Sequence, residues 1–355
     1  MKPNNIIIFL ILAVVLLVSS CSPKLANTET SQPKVFYPAV EDSAKIQFLT
    51  FYSYSSNLEE KRSKFQENIL GKQTDFEIKK PYGVEIKNNK LYISDVGTAT
   101  ITILDLTKKT FRAFNPQGNG NLRLPVNSFI DDEENLYVVD ILQKKIFKYD
   151  SNGKYLLNFG LSENKAPSDI FIKDTKVWVC DSKNNRINVY EEGSNKFLYY
   201  FPESIEGNDD WLYSPTNIYV SKNKVYVSDM GSGSVKIYTH EGKYLNTVGS
   251  FGQNMGQFVR PKGVAVDNDE NLYVVDGSFH NTQIFNKEGE LLLFFGGATG
   301  DRGGQYLPTS ITISYDVEYF KQFVDPKYDL KYLILVANQY GNYKVNVYGR
   351  IELKN

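Results

Sequence analysis

The chain has 355 residues, a length that suits one all-β domain beyond a short leader, and its 40 basic and 41 acidic side chains nearly cancel. No basic stripe or tract breaks that balance, so a nucleic-acid partner is not expected. Two cysteines, Cys21 and Cys180, cannot build a disulfide framework.

At the N-terminus, Ile6 to Val18 is an unbroken run of thirteen apolar residues, followed by Ser19, Ser20 and Cys21. The run is too short for a spanning helix and has the anatomy of a cleaved export signal over residues 1–20. A cysteine at that point resembles a bacterial lipobox. The resemblance implies cleavage before Cys21 and acylation, palmitate included, of its thiol and new amine. Several acyl chains on one residue anchor stably where one would not. The expected location is therefore the bacterial cell envelope, facing periplasm or exterior, with Ser22 compatible with the outer membrane. Residues 21–43, polar and carrying Pro23 and Pro33, read as a flexible tether.

From residue 44 to 355 the pattern is that of strands. Ala44 to Phe51 has strand character. Ser56-Asn57-Leu58-Glu59 has the form of a capping box ahead of Phe65, Ile69 and Leu70, with Gly71 as a stop. The spacing predicts a short amphipathic helix covering one face or edge of the strand-rich remainder.

A six-fold repeat then begins. Pro81-Tyr-Gly-Val-Glu-Ile returns at Pro125, Pro167, Pro215, Pro261 and Pro308, at intervals of 44, 42, 48, 46 and 47 residues. Such a period marks stacked or radially arranged units. Each repeat carries a polar turn and then a run ending in Asp95, Asp140, Asp181, Asp229 or Asp276, with Asn338 in the sixth place. A third and a fourth β-branched or aromatic run come next, bounded by turn residues. Four antiparallel strands per unit and six units give an all-β, six-bladed β-propeller. The sixth unit supplies three strands before the chain stops at Asn355, so the Ala44 strand is expected to complete it and close the ring. The recurring Asp residues answer a need that every blade shares, the satisfaction of backbone donors at a turn.

The elements Pro-Lys-Gly-Val-Ala-Val (from Pro261), Leu-Tyr-Val-Val-Asp (from Leu272) and Asn-Asn-Arg-Ile (from Asn184), with the linker Gly249 to Val266, resemble NHL-repeat propellers. The resemblance covers about Pro81 to Ile351. It implies a display surface for proteins, nucleic acids or small ligands, and in a minority of relatives an enzyme.

Chemistry is sparse. His240 and His280 are the only histidines and neither has a partner at metal-ligand spacing. No catalytic residue is assigned. One constellation departs from the repeat. The second place after each proline holds Gly83, Asn127, Asp169, Asn217, Gly263 and Ser310; two places on stand Glu85, Phe129, Phe171, Tyr219, Ala265 and Thr312. If the proline hexapeptides are the innermost strands, the first set rings the mouth of a central channel and Glu85 lies deeper. Asn127, Asp169, Asn217, Ser310 and Glu85 are thus the candidate ligands for a small molecule or cation there. Similarity to gluconolactonase-like propellers would imply a divalent ion and a metal-dependent hydrolase or lyase. The preferred reading needs no cofactor: a lipid-anchored binding or scaffolding propeller that recognises a protein, peptide or small ligand. Recognition falls to the long loops Asn115 to Leu124, Pro202 to Tyr213, Ser250 to Arg260 and Gly297 to Leu307, because function concentrates on loops held by a rigid frame.

Overall fold

The computed structural model describes residues 33–60 and 63–354. The expected export signal and Cys21 lie outside them. From Val35 onward the chain forms one compact unit. It is a ring of six antiparallel blades around a central axis.

Blade 1 comprises β3 (Pro81–Lys87), β4 (Lys90–Asp95), β5 (Thr100–Asp105) and β6 (Thr110–Phe114), paired in that order from the axis outward. Blades 2 to 5 repeat the plan, with innermost strands β7 (Pro125–Ile130), β11 (Pro167–Lys173), β15 (Pro215–Val220) and β19 (Pro261–Val266). Because consecutive strands run antiparallel, the turns after the first and third strands share one face, the lower one. The turn after the second strand and the long loop into the next blade share the other, the upper one.

Blade 6 closes the ring as its missing fourth strand requires. β23 (Pro308–Ser314), β24 (Tyr328–Asn338) and β25 (Val345–Leu353) are joined by β2 (Ile46–Tyr52), which pairs antiparallel to β25 from Ile46–Arg350 to Tyr52–Val345. Its Ile46, Phe48, Leu49 and Tyr52 are buried and enter the cores that blade 6 shares with its neighbours. The blade gains a fifth strand, β1 (Val35–Tyr37), on its outer edge. The tether expected to run to residue 43 is therefore structured from Val35: Val35 and Tyr37 pack against the aromatic core of blades 5 and 6, and the Tyr37 hydroxyl donates to the Gly303 carbonyl at 2.9 Å.

The helix also departs from expectation. It spans Lys64–Leu70, capped by Ser63 and not by Ser56, with Gln66 completing the capping box and Gly71 as the stop. Ser55 and Ser56 are engaged elsewhere: their hydroxyls and the Ser56 N–H donate to the Asp75 carboxylate, tying the segment to the entry of blade 1. Phe65 and Ile69 are exposed, so the apolar side chains expected to pack on the ring do not do so at these two positions. The sixth repeat carries an insertion between β23 and β24, from Tyr315 to Lys327, and by contrast this segment is used in the core. It forms a 3-10 turn, Glu318–Phe323, whose Phe320 is buried between blades 6 and 1. Gln47 of the closing strand holds that turn by donating to the Phe323 carbonyl and accepting from Asp325 N–H.

Between blades the core is aliphatic and aromatic. Trp178, Tyr190 and Tyr238 are fully buried. Cys180 sits in the layer of Trp178 and Tyr238, and burial pushes its thiol up, away from the reactive thiolate.

The five repeated aspartates do one job. Asp140 accepts from the N–H groups of Arg123, Leu124 and Gln143 at 2.6, 3.0 and 2.9 Å. Asp95, Asp181, Asp229 and Asp276 each take the two N–H groups that precede the proline of their own blade. Asn338 does the same more weakly, accepting from Tyr306 N–H at 3.2 Å. Each such residue pins a long loop over its blade and leaves no orphaned donor at the strand entry.

Candidate functional site

All six innermost strands slip register immediately after their proline. A bulge there re-aims the following side chain and frees backbone N–H groups from the ladder. The channel residues answer those donors. Asp169 accepts from Ile170 N–H at 2.8 Å within its own strand and from Ile218 N–H at 2.9 Å in the next blade. Asn127 accepts from Ser128 N–H at 3.0 Å and donates its amide to Asp169. Ser310 takes a long, weak bond from Val84 N–H at 3.4 Å, joining blade 6 to blade 1. Gly83 must stay bare because a Cβ would lie 2.2 Å from Asn127 Oδ1, and at Gly263 a Cβ would meet the Ile311 nitrogen at 2.6 Å.

The predicted channel set is thus brought together as expected, but as an interblade hydrogen-bonded girdle. Its axial cavity is about 40 Å³, lined by Glu85, Asp169, Asn217, Phe171, Tyr219 and Thr312 among others. That is room for a few waters and far from the 300–1,000 Å³ of a small-molecule pocket. Below it, Phe129, Phe171 and Tyr219 pack in sequence with ring centres 5.1 and 4.9 Å apart. Glu85 borders the cavity and accepts from the Thr312 hydroxyl at 3.3 Å. It keeps some contact with the channel space yet is enclosed on all sides at longer range. Enclosure and the like charge of Asp169 push its carboxyl up to about 8; enclosure pushes Asp169 up to about 7, against its backbone donors.

As a divalent centre the donor set is meagre. Asp169 already spends both oxygens on N–H groups, and no cluster of three or more His, Cys, Asp or Glu residues suited to a metal occurs among the described residues. A hard divalent ion wants six or more oxygens. His240 is bonded to the Ser221 carbonyl at 3.1 Å, and His280 accepts from Leu307 N–H at 2.8 Å.

The upper face offers a different chemistry. Its four long loops are not equivalent. Gly297 to Leu307 is built into the closure: Gly303 and Gly304 accept from Tyr37, Tyr348 and Asn346, and Gln305 is buried against Thr282. Asn115 to Leu124 is stitched through the Asn115 side chain. The loops flanking blade 4 instead present large apolar side chains: Ile205 is 74 %, Phe251 67 % and Met255 72 % exposed, and Tyr213 is also exposed. The turn Gly231-Ser232-Gly233 lies between Tyr213 and Phe251. A Cβ on Gly231 would come within 2.5 Å of Tyr213, and one on Gly233 within 2.7 Å of the Phe251 Cα. These glycines let two aromatic-bearing loops close on either side of one turn. The Gly-Ser-Gly-Ser stretch reads as a turn in the sequence; what it brings together does not show there, because the partners lie on separate loops. On the lower face, ion pairs join neighbouring blades, Lys87 to Asp132 at 2.7 Å, Lys90 to Glu134 at 3.3 Å and Lys224 to Glu270 at 3.1 Å.

Ring, closure and girdle define the class: the protein is a six-bladed β-propeller. A family model described as a 6-bladed beta-propeller matches residues 69–162 and 204–286. Protein brain tumor of Drosophila melanogaster is 27 % identical over an alignment of 145 residues that covers 39 % of this chain and 13 % of that protein, so this chain spans a small part of that relative's length. Among solved structures, a protein of unknown function from Bacteroides thetaiotaomicron aligns at 16 % identity and TM-score 0.58, covering 77 % of this chain and 70 % of that one. A virginiamycin B lyase from Staphylococcus aureus aligns at 15 % identity and TM-score 0.53, covering 77 % and 96 %. Those two likenesses are likenesses of fold.

Proposed function

We propose that this protein is an NHL-type propeller anchored through Cys21 to the outer side of a bacterial membrane, where it binds a protein or peptide partner through the upper rim of blade 4. The observation that carries the reading is that Ile205, Tyr213, Phe251 and Met255 are exposed on the loops flanking blade 4, with Tyr213 and Phe251 packed on either side of the Gly231–Gly233 turn. Aromatic and methionine side chains on loops fixed by a rigid frame are the usual anchors of protein recognition. The channel supports binding of a large ligand poorly, since its girdle is occupied with backbone donors and its cavity is near water size. The lower face carries interblade ion pairs, which favour orientation over affinity.

The test is a paired comparison. Phe251→Ser with Met255→Ser should abolish co-purification of a defined membrane partner without changing the melting temperature, while Asp169→Asn should leave it intact. Loss in Asp169→Asn alone would move the site to the channel and revive the hydrolase or lyase reading.

A further inference from the structure

The axial cavity joins side chains from opposite sides of the ring. Glu85 belongs to blade 1 and Asn217 to blade 4, three blades away. Asn217 is 2 % exposed; its amide nitrogen serves Asp169, and its Oδ1 has no hydrogen-bond partner. A buried acceptor without a donor is costly, and a water or ion that reaches it relieves that cost. The same cavity carries Glu85, whose strongest charged neighbour is the like charge of Asp169, with Lys87 offsetting it only weakly. Asp169 needs no further partner, as its oxygens receive Ile170 N–H, Ile218 N–H and the Asn127 amide. Two acceptors therefore border the cavity, the Glu85 carboxyl, which also receives the Thr312 hydroxyl at 3.3 Å, and the Asn217 oxygen, and a cation entering between them competes with the Glu85 proton. The rest of its wall includes the Phe171 and Tyr219 side chains.

A cavity of about 40 Å³ cannot hold the waters that would complete the six to eight oxygens of calcium or the shell that magnesium gives up reluctantly. A weakly hydrated monovalent cation sheds its water more readily and gains from aromatic faces. We propose that the axial cavity binds one monovalent cation of potassium or ammonium size between Glu85 and Asn217 Oδ1, stapling blades 1 and 4 across the ring. Bound there, the cation supplies the positive charge that the Glu85 and Asp169 pair lacks and the contact that the Asn217 oxygen lacks. The site is independent of the rim and of the anchor.

Thermal unfolding of the purified protein tests this, with potassium, ammonium or calcium chloride titrated against N-methylglucamine chloride at constant ionic strength. The expected result is a saturable rise of a few degrees with potassium or ammonium. It should be absent with N-methylglucamine and lost in Glu85→Gln. Equal responses to all salts would overturn the site, leaving water and protons as the occupants. A saturable response to calcium alone would overturn the monovalent assignment, and a response kept in Glu85→Gln would overturn the position. Should Glu85→Gln fail to fold, crystals of the wild-type protein soaked in rubidium decide the matter: an anomalous peak on the axis beside Asn217 supports the proposal, and none there refutes it.

Discussion

Single side chains in this ring act mainly on backbone donors. Asp140 shows how much can rest on one carboxylate: it is fully buried and holds three N–H groups. Asp140→Ala would orphan them at a cost of roughly 2–4 kcal/mol, and denaturant unfolding should show a midpoint lowered accordingly with little change in slope. Trp178 fills the layer between blades 3 and 4, and Trp178→Ala should cost about 3–5 kcal/mol by the same measurement. The channel acids give a pH signature. Glu85 and Asp169 are pushed up to about 8 and about 7, above the ordinary values of 4.5 and 3.8 that apply when the chain is unfolded. The folded state then holds the proton more tightly, so their contribution is fully present below the unfolded values and is lost as pH rises through the folded ones. Stability measured without potassium or ammonium should fall between about pH 4 and pH 8, and Glu85→Gln should flatten part of that slope. A slope unchanged in that variant would place the titration elsewhere.

Elements were legible in the sequence wherever they repeat. The proline hexapeptides, the Asp-ended strands and the missing fourth strand of the sixth unit are all readable from period and alternation, and β2 lies where the deficit required it. Three features escaped for identifiable reasons. The inner-strand bulges leave the inward and outward pattern of the hexapeptides readable, so no apolar signal betrays them, although they decide what the channel side chains do. β1 is three residues long, below the length at which alternation can be read. Ser56 and Ser63 both suit a helix cap, and the choice between them is made by Asp75, which takes the first. Closure itself can be tested at this scale. Deleting residues 44–54 removes β2, opens the ring between blades 6 and 1 and bares two sheet edges. The expected outcome is aggregation or a large drop in melting temperature; unchanged melting would refute N-terminal closure.

At the scale of the whole molecule the two faces divide the work, with interblade ion pairs below and exposed apolar loops around blade 4 above. Which loops stay exposed and which are built into the ring could not be read from their lengths. Gly297 to Leu307 is as long as its neighbours but is consumed by closure, because Tyr37, Asn346 and Tyr348 converge on its carbonyls. The proposed anchor belongs to this scale too. Cys21→Ser should shift the protein from the membrane to the soluble or uncleaved fraction, as read by fractionation, and continued processing and sedimentation with membranes would exclude lipidation. The most direct measurement of the central claim is crosslinking of the anchored protein on intact cells from a photoreactive residue at position 251, compared with one at position 132 on the lower face. The account predicts one discrete protein adduct from position 251 and none from 132. Adducts from 132 alone would place recognition on the lower face and contradict it.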